Sequence, residues 1–104
     1  MTRVAFQMKL FPGQEVEYKK RHEEIWPELK GLLKENGIAE YSIFLQPEQS
    51  VLFGVLQIDD PAKLDDLPDN PVMQKWWTYM KDIMETNPDH SPVSIPLQEV
   101  FYLP

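Results

Sequence analysis

Between Arg3 and Leu10 the large apolar residues fall on every second position, Val4, Phe6, Met8 and Leu10 on one side and Arg3, Ala5, Gln7 and Lys9 on the other. After Pro12-Gly13 the spacing changes to three and four, and this switch of period constrains the chain more than any other feature, since a strand and a helix bury different residue sets. The helical pattern runs from Gln14 to Asn36 and carries Val16, Ile25, Trp26, Leu29, Leu32 and Leu33, with Asn36-Gly37 as its stop. Pro27 divides or kinks it, because the residue before a proline avoids the α region. Alternation returns at Tyr41, Ile43 and Leu45 and again from Val51 to Ile58, with Gln46–Ser50 as a short hairpin loop. Asp60-Pro61 and Asn70-Pro71 each pair an N-cap with proline at the first helical position. They predict a helical turn from Pro61 and a longer helix from Pro71 to about Glu85, with a stripe of Val72, Trp76, Met80, Ile83 and Met84. A last strand is expected over about 97–103.

The order is β-α-β-β-α-β, the ferredoxin-like α+β arrangement of one antiparallel sheet with both helices on one face, in a single domain over 1–104. The strands carry bulk on both faces, so the open face is expected to be covered by a second copy of the chain or to hold a ligand cavity. The absence of cysteine excludes a disulfide scaffold, a thiolate nucleophile and cysteine-bound metal. Met1–Phe6 runs directly into the first strand, with no stretch resembling a signal peptide or a membrane span, and the expectation is a soluble cytoplasmic protein. A net charge of −7 disfavours nucleic acid and anionic membranes, whose binding rests on clustered Lys and Arg. A small neutral or cationic ligand, or a protein, is the expected partner.

Few residues stand out as chemically capable. Tyr18 and His22, one helical turn apart, share a face. They are either a proton-transfer pair, histidine being the side chain that titrates near neutrality, or part of an ordinary solvated helix face. Trp76 and Trp77 point about 100° apart on a helix. One can anchor the core while the other offers a platform to the C–H face of a sugar, or both can be packing residues. Tyr41 can aim its phenol into a cavity or simply serve as a good strand former. His90, in the polar loop Thr86–Pro92, reads as a surface residue whose replacement by Asn is nearly silent. Two histidines far apart in sequence, with no ligand cluster near either, give no metal site.

The runs Tyr18-Lys19-Lys20-Arg21-His22 through Ile25-Trp26-Pro27-Glu28-Leu29, Trp76-Trp77-Thr78-Tyr79-Met80, Asn87-Pro88-Asp89, Ser91-Pro92-Val93-Ser94 and Leu97-Gln98-Glu99-Val100-Phe101-Tyr102-Leu103-Pro104 resemble the L-rhamnose mutarotase family. The resemblance covers essentially the whole chain, in order. It implies a dimeric α+β barrel, two ferredoxin-like sheets packed face to face, and an isomerase that interconverts the α and β anomers of L-rhamnose without cofactor or metal. It further implies His22 as proton donor and Tyr18, Tyr41, Trp76 and Trp77 in the sugar site. His90 stands where the family leads one to expect asparagine and takes no role. Two alternatives use the same architecture: a small dimeric α/β-barrel monooxygenase, and a non-catalytic ligand-binding module.

Overall fold

The computed structural model describes residues 1–104. Strands β1 (Thr2–Lys9), β2 (Ile38–Gln46), β3 (Val51–Ile58) and β4 (Ser94–Leu97) form one sheet in the order β2-β3-β1-β4, every neighbouring pair antiparallel. Helices α1 (Glu15–Glu23) and α2 (Pro27–Glu35) link β1 to β2, and a 3-10 helix (Pro61–Asp69) and α3 (Pro71–Met80) link β3 to β4. This is the ferredoxin-like topology that the switches of period predict.

Local chemistry sets the element boundaries. Pro27 becomes the first residue of α2, and Trp26 before it is extended (φ −61°, ψ 134°), so the predicted long helix becomes two joined at a bend. Asn70 caps α3 by accepting from the Val72 N–H at 2.9 Å, and Asp60 caps the 3-10 helix by accepting from Ala62 N–H at 3.1 Å.

Two predicted boundaries are corrected. Helix α3 ends at Met80 rather than near Glu85, because the following backbone is claimed by the end of β1. Phe11 N–H donates to the Ile83 carbonyl at 2.9 Å and Glu85 N–H to the Lys9 carbonyl at 3.0 Å, while Ile83 and Met84 still enter the core. Strand β4 covers Ser94–Leu97, not 97–103. Beyond Leu97 the register would set Glu99 opposite Arg3; instead the Arg3 side chain holds the tail, lying 3.6 Å from the Glu99 carboxylate and 3.9 Å from the centre of the Tyr102 ring.

The helices cover the face that carries Val4, Phe6 and Met8 of β1, Leu52, Gly54 and Leu56 of β3, and Tyr41 and Ile43 of β2. The register fixes this set, since Phe6 and Ile43 both lie opposite Gly54 and Tyr41 lies opposite Leu56. Met8, Leu10, Leu29, Leu52, Met73 and Met80 form the main core beneath the helices. Of the predicted stripe, Trp76, Met80, Ile83 and Met84 are buried and Val72 only packs against the rim, while Met73, which the stripe omitted, is buried as well. The opposite sheet face is covered by no helix and exposes Phe44, Ile95 and Leu97.

Candidate active site

The expectation of a cavity on the open sheet face is corrected by the helix side. A cavity of about 1060 Å³ lies between the sheet and the helices, lined by Phe6, Met8 and Tyr41 from the strands, Tyr18 and His22 from α1, and Trp76 and Trp77 from α3. All five residues singled out in the sequence meet on this cavity.

Tyr18 and His22 stack one turn apart, ring centres 4.3 Å and planes 32° apart. His22 Nδ1 lies 3.0 Å from the Tyr18 backbone carbonyl. A carbonyl only accepts, so Nδ1 carries the proton and the neutral ring keeps its lone pair on Nε2. Burial lowers the pKa of His22 below its ordinary 6.5, and the Tyr18 carbonyl opposes that shift by stabilising the charged ring. At neutral pH the imidazole is therefore a proton acceptor.

The two tyrosines are the reverse. Burial pushes the Tyr18 phenol far above its ordinary range, with Tyr41 nearby adding to the shift, and burial does the same to Tyr41. Tyr41 keeps 39% of its surface open and lines the cavity. Both hydroxyls stay protonated and can donate to a ligand oxygen. Opposite Tyr41, the Phe6 ring meets it edge-on at 6.1 Å. Phe6 fits because its partner across β3 is Gly54; a Cβ there would come within 2.5 Å of the ring.

Trp76 is the buried indole, 6% exposed, and Trp77 the half-buried one. Trp76 stands edge-on to His22, with ring centres 5.4 Å apart and planes at 88°. Behind it lies a brace that the sequence analysis did not find. Trp26 meets Trp76 edge-on at 5.1 Å and stacks on Tyr79 at 5.7 Å. Arg21 lies over the other part of this cluster, its guanidinium 4.4 Å from the centre of the Tyr79 ring. Arg21 also donates to the Tyr79 carbonyl at 2.8 Å, to both carboxylate oxygens of Asp82 at 2.8 and 3.2 Å, and to Glu17 at 2.8 Å. Its side chain is only 10% exposed, so what reads in sequence as a solvated face is the clamp joining α1 to α3. The signal was the position of Arg21 beside His22, but its partners lie some sixty residues later.

His90 is also corrected. It is half-buried and lines the same cavity, with Asn87 and Ser91 beside it. No group of three or more metal-ligating side chains gathers in the fold, and no helix is long and apolar enough to cross a membrane.

Fold and site together define a ferredoxin-like α+β protein with an aromatic, histidine-bearing cavity between its sheet and helices. The family profile of L-rhamnose mutarotase matches residues 3–103, and the chain belongs to that family. An L-rhamnose mutarotase from Agrobacterium fabrum is 61% identical over 96% of this chain and 94% of its own length. One from Formosa agariphila is 53% identical, with 99% of both chains covered. The crystal structure of an L-rhamnose mutarotase from Formosa agariphila superposes with a TM-score of 0.94 at 52% identity, covering both chains fully. An antibiotic biosynthesis monooxygenase, at 13% identity and a TM-score of 0.62 over 96% of this chain and 99% of that one, shares the fold alone.

Proposed function

We propose that this chain is an isomerase that interconverts the α and β anomers of L-rhamnose, with His22 as the proton-transfer residue. The observation that carries the reading is His22 itself: a neutral imidazole on the cavity wall, its Nδ1 held by Tyr18, its Nε2 unpaired.

Exchange of anomers needs the pyranose to open to the aldehyde, the C1–C2 bond to turn, and the ring to close on the other face. Opening removes a proton from the O1 hydroxyl and adds one to the ring oxygen. Both oxygens are bonded to C1, so a single nitrogen can serve both: His22 Nε2 takes the O1 proton, and the imidazolium is then the donor to the ring oxygen as the C1–O bond breaks. Ring closure reverses the order. The Tyr18 carbonyl supports the transient imidazolium, and the protonated phenols of Tyr18 and Tyr41 orient the sugar by donating to its oxygens. Trp77 supplies an apolar wall for the C–H face of the ring, while Trp76 fixes the imidazole plane. The assembly is a homodimer joined through the open sheet face.

The decisive measurement is the rate of exchange between the two anomeric proton signals of L-rhamnose at equilibrium, followed by NMR. Added protein should accelerate it, with no oxygen consumed. Exchange at the uncatalysed rate would overturn the reading.

A further inference from the structure

The loop that follows α3 brings a second imidazole to the cavity, and α3 fixes how it points. The Thr78 hydroxyl lies 2.9 Å from the Gln74 carbonyl and 3.1 Å from His90 Nδ1. A hydroxyl has one proton and a carbonyl can only accept, so that proton goes to Gln74 and Nδ1 is the donor toward Thr78 Oγ1. In that tautomer the lone pair is on Nε2, for which the chain supplies no partner.

The backbone beneath His90 is held as firmly. Its φ of +72° lies in the left-handed region, shared among non-glycine residues only by Ser50. His90 N–H donates to the Asn87 carbonyl at 2.9 Å, Asn87 N–H to the Ser91 carbonyl at 2.7 Å, and the Asp89 carboxylate accepts from Ser91 N–H at 2.9 Å. A strained angle persists where its surroundings over-determine it, and such angles collect at ligand clamps. Trp76 and Thr78 are about 200° apart around α3. The first is buried and touches His22; the second lies on the exposed side of the helix and tethers His90, which is half-buried and lines the cavity.

We propose that His90 is a sugar-contacting residue that sets affinity and specificity: its Nε2 accepts a hydrogen bond from a pyranose hydroxyl away from C1. This rests on the mutarotase reading for the identity of the sugar.

Two variants test it without endangering the fold. His90→Gly removes the imidazole at a backbone angle that glycine adopts freely. His90→Asn also tolerates the angle and keeps a donor for Thr78, but has no atom where Nε2 stands. Both should weaken L-rhamnose binding about three- to tenfold, the worth of one neutral hydrogen bond, as read from tryptophan quenching. The hydroxyl concerned is identified with monodeoxy analogues: the one that lacks it should lose nothing further in His90→Gly. In the wild type, the 15N resonance of His90 Nε2 should move on saturation with L-rhamnose. Unchanged affinity in both folded variants, or an Nε2 resonance that stays in place at saturating sugar, overturns the proposal. Wild-type protein that binds L-rhamnose without accelerating anomer exchange would overturn the mutarotase reading and leave the His90 contact standing.

Discussion

His22 combines two demands that a free imidazole meets poorly, remaining neutral at working pH and presenting one defined nitrogen. Burial meets the first and the Tyr18 carbonyl the second. His22→Asn should leave the circular dichroism spectrum intact and slow anomer exchange by about 10²- to 10⁴-fold, the usual share of a positioned acid–base group; a folded variant with wild-type exchange would end the assignment. Tyr18→Phe should cost less, since the stack on His22 survives. The lowered pKa also has a direction in pH. In the proposed mechanism the neutral ring is the acceptor, so exchange should hold its plateau below pH 6.5 and fall only as pH drops through the lower folded-state value. Stability follows the same sense: below 6.5 the unfolded chain takes up a proton that the folded chain resists, so this contribution is present above that pH and is lost as pH falls through the folded value. A pH–rate profile set beside denaturant midpoints checks both. The tryptophan pair, open in the sequence, now divides. Trp76→Ala should cost about 3–5 kcal/mol of stability, while Trp77→Ala should weaken rhamnose binding with little change in melting temperature.

At the scale of elements, the site depends on two junctions. The first is the clamp from Arg21 on α1 to Tyr79 at the end of α3 and Asp82 just after it. The second is the pairing of β1 with β3 at Gly54, where the missing side chain leaves room for Phe6 beside Tyr41. Gly54→Ala should push the Phe6 ring toward the cavity, so L-rhamnose affinity falls while the far-ultraviolet spectrum is retained; wild-type affinity would show that Phe6 has other room to move. Both junctions were illegible in the sequence for the same reason. Arg21 and Gly54 have ordinary local roles, a polar helix residue and a weak strand former, and acquire their importance from partners distant along the chain. The helix starts, by contrast, were legible, because Asn70-Pro71 and Asp60-Pro61 act within three residues. Helix ends were less so: α3 stops where the end of β1 captures its backbone.

The whole molecule leaves one sheet face bare. Phe44 is 62% exposed and Ile95 55%, and the tail adds Val100 and Phe101 at 90% and 77%. Apolar surface of this extent marks an interface, and light scattering at micromolar concentration should give the mass of a dimer; a stable, active monomer would remove the face-to-face barrel. Sequence by itself determined the order of elements, the division at Pro27 and the family, since periodicity, capping and short motifs are local and are written in neighbouring residues, and the family resemblance pointed to Tyr18, His22, Tyr41, Trp76 and Trp77, which line one cavity. Tertiary structure alone decided that the cavity lies under the helices rather than on the open face, that Trp76 is the buried indole, and that His90 lines that cavity. Those outcomes depend on strand register, helix crossing and long-range hydrogen bonds, which exist only when distant parts of the chain are brought together.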